Sequence, residues 1–376
     1  MAETVLKRID WILVAFIIPI VLAGLFTMKS FSPAENVDNF FNKQIIWIFI
    51  SFAIFFLFSF IDFRFLKRTG VLVSLFLFFS LVLLLLFILG NISHGAQSWY
   101  SFGLFSFQPV DLMKLVLVLI LAKYFSRRHV EIGDIKHIFI SGFYTLIPFI
   151  LVLLQPDFGS AMIIFMIWLG MVLVLGISKT HLLLVFLSGA IIFISLWFFA
   201  FAPYQKARIS DFLNPLADIR GSGYNAFQST IAVGSGGVMG KGLGFGTQSR
   251  LKFLPEPQTD FIFSAFAEEW GFIGSFLIVL LFVFIISRVL YSASFGASNF
   301  EILFGMGIAI YLMSHVLVNI GMNLGLLPVT GTPLPFMSYG GSHLLAEFAG
   351  LGILMSMRRY QRSVHRDDTK NEFLGI

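Results

Sequence analysis

The sequence predicts an all-α polytopic membrane protein with about ten transmembrane helices. Of its 376 residues, 58% are hydrophobic and only 12% are charged, whereas soluble domains carry about 25% charged residues. The apolar residues fall in long blocks between short polar stretches, and each block approaches the roughly 20 residues that span a hydrocarbon core. These observations exclude a soluble globular protein and favour a helical bundle in lipid.

Ten apolar segments follow one another along the chain. The predicted spans are 10–28, 44–61, 70–90, 110–126, 138–154, 158–177, 181–202, 260–287, 301–327 and 336–357. The first block, Trp11 to Met28, is too long for a signal-peptide core and no small-residue cleavage site follows it, so it is predicted to be a retained span. An even number of spans places both ends of the chain on one side.

The basic residues indicate which side that is. They cluster at the same ends of the spans, at Lys7, Arg8, Arg64, Lys67, Arg68, Lys123, Arg127, Arg128, Lys136, Lys179, Arg288, Arg358, Arg359, Arg362 and Arg366. The positive-inside rule therefore predicts short cytoplasmic tails, 1–9 and 358–376. We expect residues 1–376 to form a single membrane domain.

A large external loop, residues 203–259, between helices 7 and 8 breaks this charge pattern. Its cations are Lys206, Arg208, Arg220, Lys241, Arg250 and Lys252. A long loop tolerates such charges, because the positive-inside bias weakens with loop length. The favoured interpretation is that these cations meet an anion. The loop's apolar and aromatic residues predict order, with short helices at the outer membrane interface.

The same loop is rich in glycine, which permits close backbone approach and lets amide groups turn inward around a phosphate. The run Gly240-Lys241-Gly242 suggests a nucleotide-binding P-loop at first sight. That motif is excluded, because Ser235 stands where its first glycine is required and Gly242 where Ser or Thr must hold magnesium.

Ionisable residues at membrane depth are functional candidates because they are costly to bury there. Asp111 and Lys114, three residues apart on one helix face, are predicted to pair, either as a functional site or as an internal salt bridge. Asp157 is predicted to cap the sixth helix. Asp260 lies at the external mouth of the eighth helix, beside the cationic loop, and suits a general base or metal ligand. The alternative for Asp260 is an acid at the start of the helix that the helix macrodipole stabilises.

Polar residues recur every four positions in the last two helices. His315, Asn319 and Asn323 form a stripe for which interhelical hydrogen bonding is favoured over a ligand site. His343 and Glu347 repeat that spacing. Two further acids, Glu268 and Glu269, lie about two turns deeper than Asp260, and at least one of them is predicted to face the bundle interior or its partner cations. Without any cysteine and with scattered histidines, the sequence predicts no zinc site.

Ordered motifs along nearly the whole chain resemble a known family. They are Gly95-Ala96-Gln97, Gln108-Pro109, Gln155-Pro156-Asp157, Gly234-Ser235-Gly236-Gly237, Gly246-Thr247-Gln248-Ser249, Phe253 to Phe263, Asn319-Ile320-Gly321-Met322, Pro333-Leu334-Pro335 and Ser338-Tyr339-Gly340-Gly341-Ser342. They resemble the SEDS proteins (shape, elongation, division and sporulation), and the loop segments and short tails resemble the RodA branch more than the FtsW or sporulation branches.

The resemblance implies a peptidoglycan glycosyltransferase that polymerises lipid II into β-1,4 glycan strands outside the cytoplasmic membrane and releases undecaprenyl diphosphate. It implies that Asp260 is the catalytic residue, with Arg208 and Lys241 at the departing diphosphate. Further substrate-binding residues are expected at Lys114, Asp111, Gln248, Glu256, Trp99 and Ser338. Asp260 and the diphosphate form a candidate site for a shared divalent cation, Mg²⁺ or Mn²⁺, and no organic cofactor is expected.

The implied partners are a class B penicillin-binding protein and other membrane proteins of the elongation complex, with no nucleic acid. The implied role is cell elongation and rod shape. Alternatives are a lipid II flippase and a non-catalytic scaffold for a penicillin-binding protein. The chain departs from the family at two positions, where Ser98 stands in place of the usual Arg and Gln258 in place of the usual His. The first change removes a cation from the outer region of the fourth helix, and the second argues against a required imidazole beside Asp260.

Overall fold

A computed structural model describes residues 9–30, 40–93, 96–101, 106–127, 135–199, 205–206, 210, 212–213 and 223–374. Arg208, most of the tail 1–9 and most of the first part of the loop 203–259 lie outside these residues. The prediction that Arg208 contacts the diphosphate therefore has no structural counterpart.

Ten helices of 17 residues or more occur in the described part of the chain, and each overlaps one predicted span. They are α1 (Trp11–Ser30), α2 (Phe40–Phe60), α3 (Thr69–Leu89), α4 (Pro109–Ser126), α5 (Ile135–Leu154), α6 (Phe158–Val174), α7 (Lys179–Phe199), α10 (Ile262–Ala293), α11 (Asn299–Asn323) and α12 (Gly341–Leu374). Two shorter helices, α8 (Tyr224–Ser235) and α9 (Thr247–Arg250), belong to the large loop. By length and apolar composition alone, six of the helices in the described residues qualify as membrane spans: α1, α2, α3, α5, α10 and α11.

The last span begins later than predicted. Residues 336–340 are a turn in which Phe336 has a positive φ of 60° and Ser338 N donates to Leu334 O at 3.0 Å. Tyr339 N donates to Gln258 O at 2.8 Å instead of joining a helix. The helix α12 therefore starts at Gly341, because this segment is bonded to the residues that precede α10.

A small sheet, which the all-α prediction did not include, lies between α3 and α4. It consists of β1 (Asn91–Ser93), β2 (Ala96–Ser101) and β3 (Ser106–Phe107) in antiparallel order. Trp99, a predicted substrate contact, lies in β2 opposite Asn91. The hydroxyl of Tyr100 donates to Val82 O at 2.9 Å, which ties the sheet to α3.

One buried acid holds together three helices at the side opposite the sheet. Asp10, at the start of α1, accepts from Arg288 Nε at 2.9 Å in α10 and from Arg358 at 2.8 Å in α12. Burial alone raises the pKa of Asp10, but the hydrogen bond from Arg288 and the two positive charges outweigh it and lower that pKa. The start of α1 and the middle of α12 therefore lie on the same side of the bundle.

The helix α10 is broken at Gly271, whose φ of 66° and ψ of −163° are not helical. The glycine-rich loop fills the break: Lys241 N donates to Glu268 O at 3.0 Å, and Phe272 N donates to Gly237 O at 2.9 Å. Backbone groups at membrane depth need such internal partners. The amide of Lys241, in the middle of the glycine-rich run, therefore bonds the broken helix and not a phosphate.

The close contact between the glycine-rich loop and α10 predicts that adding one methyl group at Gly240 lowers the stability of the protein. A Cβ at Gly240 would lie 2.1 Å from Glu269 O, at a φ of +81°, so Gly240→Ala is expected to cost about 1–3 kcal/mol and to lower Tm by several degrees in thermal unfolding of the detergent-solubilised protein. Gly234→Ala is the matched control, because a Cβ there meets nothing within 4 Å. Equal melting temperatures for the two variants would contradict the described contact.

Candidate active site

Asp260 lies just before α10, and the three consecutive backbone carbonyls of residues 258–260 each accept a hydrogen bond from a distant part of the chain. Tyr339 N donates to Gln258 O at 2.8 Å, and the hydroxyl of Ser338 donates to Thr259 O at 2.6 Å. The carbonyl of Asp260 itself accepts two side-chain amides from α11. The loop after α11 thus fixes the backbone that carries the predicted catalytic carboxylate.

The polar stripe of α11 supplies those amides. Asn319 Nδ2 and Asn323 Nδ2 each lie 3.0 Å from Asp260 O, and Asn323 Oδ1 accepts from Ser264 N at 3.1 Å in α10. His315 Nδ1 lies 3.3 Å from Pro333 O. The prediction that this stripe makes hydrogen bonds to other elements is confirmed. The signal in the sequence was the recurrence of polar residues every four positions.

The carboxylate of Asp260 is half-buried and lies against a glycine. An ideal Cβ on Gly331 would be 3.3 Å from Asp260 Oδ2, and the φ of Gly331 is +73°. Asp260 stands one residue before the N-cap of α10, Phe261, which makes no side-chain cap hydrogen bond. The carboxylate therefore lies at the N-terminal, positive end of α10.

Lys241, a predicted diphosphate contact, pairs with a buried acid of the chain itself. Its Nζ lies 2.7 Å from Glu268 Oε1, and Glu268 is fully buried. The same carboxylate accepts from the amides of Thr247 at 2.8 Å, Gln248 at 3.0 Å and Ser249 at 3.3 Å. The expectation that Glu268 faces a partner cation is confirmed, whereas the substrate role of Lys241 stays a prediction.

Asp111 and Lys114 belong to a buried charge cluster between α4 and α12. Their predicted pairing is confirmed, with Lys114 Nζ 3.2 Å from Asp111 Oδ1 and each residue only 1% exposed. Ser342 Oγ donates to Asp111 Oδ2 at 3.0 Å, and His343 Nε2 lies 2.9 Å from Glu347 Oε1. Sequence reasoning missed that His343 also faces Asp111, at 3.5 Å.

Glu347 connects this cluster to the loop beside Asp260. Its Oε2 accepts from Phe336 N at 3.0 Å, two residues before Ser338. The same loop thus contacts both the charge cluster and the segment of Asp260. Substrate binding by Asp111, Lys114 and Ser338 stays a prediction, and the described partners give each of them a structural role as well.

The remaining predicted residues occupy separate places. Glu256 has a positive φ of 41° and accepts from Gln258 Nε2 at 2.8 Å. Gln248 has a buried side-chain oxygen with no hydrogen-bond partner among the described residues. Asp157 caps α6 by accepting from Ser160 N at 3.0 Å, as predicted.

No group of three or more His, Asp or Glu side chains that could hold a metal ion gathers among the described residues. A cation at Asp260 would therefore take most of its ligands from water and from the substrate. Oxygen ligands of this kind suit Mg²⁺, which keeps several waters and binds through one or two carboxylates together with substrate phosphates.

Comparisons with known proteins agree on one family. The family model for FtsW, RodA and SpoVE, described as "Cell cycle protein", matches residues 6–363. Over 277 residues, 74% of this chain and 75% of the relative, the chain is 39% identical to peptidoglycan glycosyltransferase MrdB of Escherichia coli. It is 36% identical to stage V sporulation protein E of Bacillus subtilis over 362 residues, 94% of this chain and 98% of the relative.

Solved structures show the same relationship. A chain from a peptidoglycan synthase complex, studied for the coordination of polymerization and crosslinking, superimposes with a TM-score of 0.79 at 30% identity and covers 94% of this chain and 98% of its own. The rod shape determining protein RodA of Thermus thermophilus gives a TM-score of 0.69 at 29% identity, with coverages of 94% and 97%. The chain is a multi-pass membrane protein that belongs to the FtsW, RodA and SpoVE family, the SEDS proteins.

Proposed function

We propose that this protein is a peptidoglycan glycosyltransferase of the RodA type, which polymerises lipid II on the outer face of the cytoplasmic membrane. The observation that carries the proposal is the carboxylate of Asp260, held on a fixed backbone segment at the mouth of α10. The name of the relative MrdB supports the reaction. The structural match to RodA supports a role in elongation and rod shape.

In the proposed reaction, Asp260 acts as general base. It accepts the proton of the 4-hydroxyl of the acceptor sugar, whose oxygen bonds to C1 of the donor sugar. The bond from C1 to the diphosphate oxygen breaks, and its electron pair leaves with undecaprenyl diphosphate. Arg208 and other loop cations stabilise the negative charge of the leaving group. Lys241 contributes less to that charge balance than a lone cation would, because it already pairs with Glu268.

The placement of charge favours an external enzyme over a flippase. Asp111 and Lys114 lie within two turns of the start of α4, and Glu347 lies within two turns of the start of α12. A translocation path is expected to leave ionisable groups across the whole membrane depth. These three lie within about 10 Å of helix ends on the side of Asp260, at 1.5 Å per residue.

The orientation that we propose places both termini in the cytoplasm and Asp260 outside. It follows the positive-inside rule. The contact of Asp10 with Arg358 supports it, because that contact joins the start of α1 to the middle of α12 on the same side of the bundle. The proposed partners are a class B penicillin-binding protein and other membrane proteins of the elongation complex. The match to a chain of a complex that links polymerization to crosslinking supports a transpeptidase partner.

The function is tested with purified protein, its cognate penicillin-binding protein and labelled lipid II. We expect glycan polymer together with one undecaprenyl diphosphate released per added unit. Intact lipid II after incubation with an otherwise competent complex would contradict the proposal.

Removal of divalent cations tests the proposed metal. We expect chelation with EDTA to lower the polymerisation rate at least tenfold, and added Mg²⁺ or Mn²⁺ to restore it, because a cation held by Asp260 would screen the negative charges of its carboxylate and the diphosphate. The measurement is the initial rate at a fixed lipid II concentration. An unchanged rate after complete chelation would exclude the metal and leave the base role of Asp260 intact.

A further inference from the structure

Two buried amides converge on one backbone atom of the proposed active site. Asn319 Nδ2 and Asn323 Nδ2 both donate to the carbonyl of Asp260 at 3.0 Å, and both asparagines are fully buried. A carbonyl oxygen has two lone pairs, so the two donors saturate it. The backbone of Asp260 therefore has little freedom to turn.

The amide of Asn319 also reaches the other wall of the site. Its Nδ2 donates to Thr332 O at 2.7 Å, and the neighbouring Gly331 lies against the carboxylate of Asp260. One side-chain amide thus sets the distance between the segment that carries the carboxylate and the loop that packs against it. Asn323 Nδ2 supports this arrangement by donating to Asn319 O at 2.8 Å.

We propose that Asn319 and Asn323 are positioning residues, which hold the carboxylate of Asp260 where it meets the attacking hydroxyl. The inference rests on the proposed function. Burying two polar side chains in a membrane bundle is costly. Here both side chains donate hydrogen bonds to the backbone carbonyl of Asp260, the residue that needs a fixed geometry. A misplacement of about 1 Å at a reacting group can lower a rate about 100-fold.

Positioning predicts a specific kinetic signature. Asn319→Leu and Asn323→Leu keep the branching of the side chain at Cγ but remove the donors. We expect each to lower kcat for lipid II polymerisation about 10- to 100-fold while KM stays within about twofold, because neither side chain is proposed to touch substrate. Ser314→Ala is the matched control on α11, since its buried hydroxyl bonds only Ile310 O of its own helix in the described contacts; its kcat should stay within about twofold of wild type.

A second variant approaches the carboxylate from the other side and leaves both amides in place. Gly331→Ala puts a Cβ 3.3 Å from Asp260 Oδ2 at a φ of +73°. We expect the same fall in kcat with an unchanged KM. This variant decides the question if the asparagine variants fail to fold, as judged by their melting temperatures.

Three results are distinguishable in the assay with the penicillin-binding protein partner. Lower kcat with constant KM in the folded variants supports positioning. An unchanged kcat, or a raised KM with constant kcat, overturns it while the proposed function stands. A wild-type complex that makes no polymer overturns the function itself and the inference with it.

Discussion

Replacing Asp260 with Asn is expected to lower the turnover number of lipid II polymerisation by about 10²–10⁴-fold, the range typical of losing a general base. The amide has nearly the same shape as the carboxylate, so the contact with Gly331 and the hydrogen bonds to the carbonyl of residue 260 should persist. The fold should therefore remain intact while proton acceptance is lost. The measurement is kcat in the purified complex, together with lipid II binding and Tm.

The control for this change is Asp62→Asn. Asp62 pairs with Arg64 on the opposite side of the bundle, and both side chains are exposed, so its loss should leave polymerisation within about twofold of wild type. If Asp260→Asn kept wild-type turnover, Asp260 would be neither the base nor an essential metal ligand, and the mechanism proposed here would be wrong.

The second large effect is expected from Glu268→Ala, which should loosen the attachment of the large loop to α10. The carboxylate of Glu268 is the common acceptor for Lys241 Nζ and for three consecutive amides beginning at Thr247. Hydrogen bonds to a charged group typically contribute about 1.5–3 kcal/mol each, and this change removes several of them at once. We expect the loop to separate from α10, seen as faster tryptic cleavage after Lys241, Arg250 and Lys252.

Lys241→Met provides a graded comparison. It removes the cation but leaves the amide donors of residues 247–249 on Glu268, so cleavage at the two remaining sites should rise less than in Glu268→Ala. Cleavage rates equal to wild type in Glu268→Ala would show that the loop is held by its backbone bonds to α10 alone.

The sequence was sufficient to predict the membrane fold and the number of long helices, because apolar length is a direct consequence of bilayer thickness. Boundaries were harder to predict where the backbone bonds to a distant segment. The predicted last span begins at residue 336 and so includes Tyr339, but the amide of Tyr339 donates to Gln258 O. Nothing in local composition reports such a long-range bond.

The candidate site was predictable in its carboxylate but less so in its surroundings. Asp260 was identified from its position beside the cationic loop and from the family motif, and the stripe of Asn319 and Asn323 from its spacing. The sequence did not show that these amides bind the backbone of Asp260. The sequence predicted Lys241 as a cation for the substrate and did not show that it pairs with Glu268. That pairing accompanies the docking of the loop at the break of α10 at Gly271, which local sequence does not reveal.

The central claim is tested most directly by measuring polymerisation and translocation of lipid II in the same proteoliposomes. The wild-type complex, with its penicillin-binding protein, should convert externally accessible lipid II into glycan polymer, and Asp260→Asn should not. Translocation across the bilayer should stay at the rate of protein-free vesicles for both. Rapid translocation without polymer from the wild type would contradict the account and identify a flippase instead.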